Sequence, residues 1–283
     1  MNWFIYSLFG AIFMTAYGLA IRLFLKDKGD SKTFTFITTL FGGLALLLLL
    51  PFETIKYLFT PQIVIVLILL SVLYALTDLS FIRGRQLEEV SIVSILVQLG
   101  NFWALIGGTL IFKELLTFNK MLGVGLIVLG SILLVWHKQK ISLSKGKFFV
   151  IIGTILFTIN SFADKVFSPY FSASLYKAII FLLEAFMLFT FFLPQRLTAI
   201  KKEFKIQGKA IIFVGPLLSL AVFFLFRAFQ VGGEASKVLP VYSLSLVFSV
   251  IAGILFLNEK DNLLKKIIAM VLVLAGTYIL QLV

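Results

Sequence analysis

The sequence contains no cysteine, one histidine and six prolines. Without cysteine there is no disulfide, no thiol nucleophile and no thiolate ligand. The lone histidine, His137, lies in a lysine-rich stretch, which argues against a His/Cys metal site. No cofactor-binding loop or phosphate cradle is present, so no cofactor is expected. Charge is scarce as well. Asp, Glu, Lys and Arg together make up 13% of the chain, about half the share usual in soluble domains. Acids are rarer than bases, 13 against 25, which leaves a net charge of +12. The bases fall in short runs between apolar stretches and do not form one amphipathic face. That distribution argues against nucleic acid as a partner and points to anionic lipid and membrane orientation.

What the 283 residues do have is apolar surface. The hydrophobic share is 60% and the mean hydropathy is +1.08. No soluble packing scheme hides that much in a chain of this length, so the lipid bilayer is the expected solvent. A membrane-crossing helix needs about 20 apolar residues. Ten stretches qualify as candidates: 3–25, 33–50, 62–82, 90–112, 119–136, 147–167, 173–193, 209–229, 236–257 and 264–282. They are continuous and do not alternate, which excludes barrel strands. Residues 3–25 are too long, and too weakly preceded by charge, for a signal peptide.

The chain repeats itself. At an offset of 143, Gly10, Ile12, Thr15 and Ala20 fall on Gly153, Ile155, Thr158 and Ala163. At the same offset Arg22 falls on Lys165, and Leu50-Pro51 falls on Leu193-Pro194. At an offset of 145, Glu89-Val90-Ser91 meets Glu234-Ala235-Ser236, Gly108 meets Gly253 and Glu114 meets Glu259. One residue further, Lys120 meets Lys266 and Gly130 meets Gly276. Polar, Gly and Pro matches in order outweigh chance. The division expected is 1–140 and 141–283, five helices each. An odd number of spans makes the second copy enter from the opposite face, the inverted-repeat plan of secondary transporters. The expected fold is an all-α membrane protein of ten transmembrane helices in two inverted five-helix repeats.

Two segments carry a family resemblance. ALIGGTLIFKE, Ala104 to Glu114, is an apolar helix with central glycines ending in an acid, followed by a glycine-bearing helix from Lys120 to Leu134. The second copy has VIAGILFLNE at 250–259, then Lys266 to Leu280. Over its whole length the chain resembles the drug/metabolite transporter superfamily in its ten-helix EamA-like branch. The resemblance implies a central cavity lined by both repeats and alternating access. The small multidrug pumps of that superfamily carry an essential Glu in their first helix, whereas residues 3–25 here contain no acid.

Counted loop by loop, seventeen bases lie on the side of the loops joining spans 1–2, 3–4, 5–6, 7–8 and 9–10. The opposite side holds only Lys56, Lys113, Lys120, Lys165, Lys177, Arg227 and Lys237. The positive-inside rule puts the first set in the cytoplasm and both termini outside, although relatives usually have cytoplasmic termini.

The candidate site residues follow from the expense of polarity in lipid. Glu184 sits near the middle of the seventh span, where a charge costs about 3 kcal/mol. It calls for a cation, a proton or a structural base. Lys177, seven residues earlier on the same face, is expected to snorkel to the interface. The fourth span carries a polar stripe of Ser91, Ser94, Gln98, Asn101 and Gly108, with Trp103 off the stripe. Gln98 and Asn101 can serve either a substrate or a neighbouring helix. The third span offers Tyr74, Thr77 and Asp78, and the ninth offers Tyr242, Ser245, Ser249 and Gly253. Aromatic rings beside an acid can hold an amine by cation–π attraction. Arg22 with Asp78 at one mouth, and Asp164, Lys165, Arg227 and Glu234 at the other, are candidate gate pairs, with interfacial anchoring as the plainer role. Pro216 and Pro240 can bend their helices. Ala104, Gly107 and Gly108 allow close helix approach, within a monomer or in a homodimer.

No constellation of an enzyme is present. The expectation is a secondary active transporter of a small amine- or amino-acid-like metabolite, cationic or zwitterionic, with proton coupling through Glu184. The alternative is a transport-inactive scaffold or a subunit of a larger complex.

Overall fold

A computed structural model describes residues 2–24, 29–88, 93, 96–135, 144–193, 196–256 and 263–282, apart from the side chains of a few residues flanking the gaps, Arg22 among them. All regular structure among the described residues is helical. The helices are α1 (Trp3–Phe24), α2 (Ser31–Leu47), α3 (Pro61–Leu87), α4 (Leu99–Phe112), α5 (Phe118–Val135) and α6 (Lys145–Phe167). They continue with α7 (Ala173–Met187), α8 (Arg196–Gln207), α9 (Val214–Gln230), α10 (Ala235–Tyr242), α11 (Ser245–Phe256) and α12 (Leu263–Gln281). A π-helical turn, Leu188–Phe192, extends α7, and a 3₁₀ turn, Lys209–Phe213, precedes α9.

Each predicted span overlaps a helix of the described residues, the fourth only in its second part, α4, because much of its first part lies outside them, and the ninth in the pair α10 and α11. Among the described residues, six helical stretches are long and apolar enough to cross a bilayer. Leu69, Leu110, Leu129 and Leu274 are all more than half exposed, a surface only lipid tolerates. The chain is a multi-pass membrane protein. Caps start several helices: Asp30 accepts from the Thr33 amide at 2.9 Å, Thr60 from that of Ile63 at 3.3 Å, and Ser144 from that of Lys147 at 3.2 Å. In α2 the hydroxyls of Thr35, Thr38 and Thr39 donate to carbonyls one turn back, so this polar-looking helix satisfies itself.

The packing repeats under exchange of the two halves. The pairing of α3 with α6 has its counterpart in α9 with α1, and that of α9 with α2 in α3 with α7. The helices α2 with α7, and α5 with α12, pair with their own counterparts. Glycines make the last pair close. A Cβ on Gly123 would lie 2.9 Å from the Gly276 carbonyl oxygen, and one on Gly130 would lie 2.7 Å from that of Ala269. Those two contacts exchange under the 146-residue offset that superposes Gly130 on Gly276. Gly107 and Gly108 are filled within the monomer, by Phe162 and by Glu114 with Ser236.

Candidate functional site

Polar groups from α3, α6 and α7 meet inside the bundle. Tyr74 of α3 donates its hydroxyl to Asp164 of α6 at 2.7 Å. Lys177 of α7 donates to the Tyr74 oxygen at 2.8 Å and forms an ion pair with Asp164. Both charged groups are buried, with 0% exposure for Lys177 and 2% for Asp164. The sequence reading therefore needs two corrections. Lys177 does not snorkel outward, because an acid on the preceding helix awaits it inside. Asp164 lies in this buried cluster and is no mouth residue. The Lys177 Nζ also stands over three rings, at 4.9 Å from Tyr74, 5.4 Å from Tyr176 and 5.8 Å from Phe226. Tyr176 and Phe226 stack with centroids 4.7 Å apart.

Two turns along α7 from Lys177, Glu184 is fully buried. Neither of its carboxyl oxygens receives a hydrogen bond from a protein donor. Its electrostatic neighbours are Asp78 on α3 and Lys177 on its own helix. Two carboxyls facing one another repel unless a cation or proton stands between them. Thr77, beside Asp78, accepts from Asn160 of α6 at 2.9 Å. Tyr242, at the end of α10, is buried, stacks with Phe157 at 6.3 Å, and lies within the electrostatic reach of Asp164 and Asp78.

The crossing of the fourth and ninth spans forms a second polar centre. The fourth is interrupted at Gln98, just before α4, and the ninth at Ser243, between α10 and α11. These breaks are 145 residues apart, the offset of the repeat itself. Asn101 ties both, donating its amide to Gln98 at 2.9 Å and to Ser243 at 3.1 Å. Ser243 in turn donates to the Pro240 carbonyl at 2.7 Å, three residues back. Pro216 lies in the first turn of α9, where its missing N–H is harmless. Trp103 is exposed and stays outside both centres.

One end of the bundle is tied shut by charge. Glu114, just past α4, forms an ion pair with Lys165 of α6. It also accepts from the amides of Ala235 and Ser236, at 2.8 Å and 3.1 Å, at the start of α10. Burial raises its carboxyl, but the hydrogen bonds from Lys165 and Ser236 outweigh it and hold Glu114 below the ordinary carboxylate range. Glu234 behaves alike, lifted by burial and pulled down further by Lys120 and Lys237. Arg227 faces Glu53 at 3.6 Å and donates to Gln230 at 3.0 Å. The gate partners thus differ from the expected ones: Lys165 pairs with Glu114, Arg227 with Glu53, and Glu234 with Lys120 and Lys237. The Arg22 side chain, Ser91, Ser94 and Glu259 lie outside the described residues, so the expected pairing of Arg22 with Asp78 does too. The opposite end carries the bonds of Glu203 with the Asp30 amide at 3.1 Å and of Ser144 with Glu88. A recess of about 730 Å³ beside the π turn, lined by Phe189, Leu193, Arg196, Leu197 and Thr198, holds none of the acids described above.

The pattern of the EamA-like transporter family matches this chain twice, over residues 1–136 and 144–282. A solved structure titled "Crystal structure of protein" aligns with a TM-score of 0.75 at 13% identity, covering 98% of each chain. At that identity the likeness concerns the fold alone. No curated protein matches.

Proposed function

The chain belongs to the EamA-like transporter family, and from that premise we propose that it moves a small amine- or amino-acid-like metabolite by alternating access between its two repeats. Family membership is that of membrane transporters, and the substrate class is read from the interior. The observation that carries it is Glu184, fully buried with no donor to either oxygen and with Asp78 as its acidic neighbour. A primary ammonium brings three N–H donors and one positive charge. It would satisfy Glu184, with Asp78 of the opposite repeat as a second acid beside it. In the absence of amine a proton can take the ammonium's place between the acids, which would couple amine movement to proton movement. Tyr242 and Tyr74 supply aromatic walls, and Lys165 and Arg227 hold the tied end closed.

The test is thermal stabilisation of purified protein, wild type against Glu184→Gln, by a panel of cationic amines, amino acids and neutral metabolites. Amines and amino acids are expected to stabilise wild type alone. In vesicles, wild type is expected to take up the same solute along a pH gradient and Glu184→Gln to lose that drive. Equal stabilisation of both proteins, or unchanged gradient-driven uptake, overturns the assignment of Glu184. Absence of any flux favours the scaffold.

A further inference from the structure

The lysine ammonium in the cluster sits in surroundings that would suit a free one. Around the Lys177 Nζ stand the Asp164 carboxylate, the Tyr74 hydroxyl at 2.8 Å and the faces of Tyr74, Tyr176 and Phe226. These groups come from α3, α6, α7 and α9, so the box spans both repeats. Charge, hydrogen-bond acceptor and ring faces are the three elements by which proteins recognise alkylammonium ions. Structural ion pairs buried in lipid need only the opposite charge and do not need three rings. A lysine that merely balanced Asp164 could also have reached it from an aliphatic wall.

We infer that Asp164, Tyr74, Tyr176 and Phe226 form a second cation subsite, distinct from Glu184, that takes primary alkylammonium groups and is filled in this conformation by the protein's own Lys177. That a solute ammonium meets this box during transport rests on the function proposed above; that the box binds an ammonium does not. A solute amine entering it displaces Lys177 along α7 toward Glu184, which lacks a donor. The tethered ammonium would then act as an internal competitor, neutralising the box whenever no solute is there.

The experiment is chemical rescue. Full-length Lys177→Ala, fused to a fluorescent reporter, is expressed and solubilised in n-propylammonium chloride, in sodium chloride of equal ionic strength, or in n-propanol. The folded fraction is read after a heating ramp. Propylammonium is expected to raise the Lys177→Ala midpoint by about 5 °C beyond whatever shift it gives wild type through Glu184, since the wild-type box is full, and that excess is the response of the box. Sodium and propanol are expected to do nothing, and Asp164→Asn/Lys177→Ala is expected to lose the response. Three results overturn the inference: equal responses in wild type and Lys177→Ala, a response that survives removal of Asp164, or a variant that no ammonium restores. A failed rescue beside amine stabilisation through Glu184 would remove the box and keep the transporter. Rescue without flux would keep the box and remove the transporter.

Discussion

Asp164 and Lys177 are thirteen residues apart on successive helices, and their pairing sets what each can tolerate alone. Replacing Asp164 with Ala leaves a fully buried ammonium with one hydroxyl for company. Such uncompensated charges destabilise proteins by about 3–5 kcal/mol. Asp164→Ala is therefore expected to lower unfolding stability in mixed micelles by that order, and Asp164→Ala/Lys177→Met by much less. Additive losses in that cycle would mean that the two do not act as a pair. Residues also show where sequence reading stops. Glu184 was legible because an acid amid apolar residues is costly wherever it points. Lys177 was misplaced because a lysine near a helix end can turn either way, and the deciding acid lies on another helix. Tyr176 and Phe226 went unnoticed because 15% of the chain is aromatic and only packing distinguishes three rings from the rest.

At the scale of elements, the notable join is Glu114 across the start of α10. The acid lies just beyond a helix of the first repeat, and its acceptor oxygens meet the unpaired amides that open a helix of the second. The sequence showed the acid and its repeat equivalent, whereas its partners required the fold. Lys165 was singled out as a gate but assigned the wrong partners, since nothing in sequence brings residue 114 to residue 165. The pH dependence follows from the direction of the shift. A carboxyl held below its unfolded value contributes stability above the ordinary carboxylate range, and loses it as pH falls through the folded value. Glu114→Gln should thus lower stability by about 1.5–3 kcal/mol at neutral pH. The gap from wild type should narrow as pH falls below the ordinary carboxylate range and close only below the depressed folded value, where the wild-type carboxyl is protonated too. Thermal midpoints of the two proteins across pH 3–8 test this, and a gap independent of pH would assign the effect to shape. The breaks at Gln98 and Ser243 were only half legible. Pro240 lies three residues before the second, but the first has no proline, only Gly100 within the helix that follows, and its equivalence appears only once both helices are seen to stop at the same repeat position.

For the whole molecule, the exchange symmetry of the packing fixes which loops share an end. Glu114, Lys165, Glu234, Glu53 and Arg227 are tied together at one end, and Glu203, Asp30, Glu88 and Ser144 belong to the other. The structure pairs the loops without saying which end faces the cytoplasm, and charge supplies that direction. The basic helix α8, with Arg196, Lys201, Lys202 and Lys205, lies at the end of Glu203, where anionic lipid would hold it. The positive-inside rule predicts that both termini lie with Glu114 on the outer face, which would make the tied end the extracytoplasmic mouth. Alkaline phosphatase fused after Val283 is expected to be active in intact cells, and a fluorescent protein at the same place dark. A C-terminal tag that external protease cannot reach until the membrane is opened would reverse the assignment. It would also turn Glu114 into a cytoplasmic latch and leave α8 with its lysines facing outward, against the usual placement of basic loops.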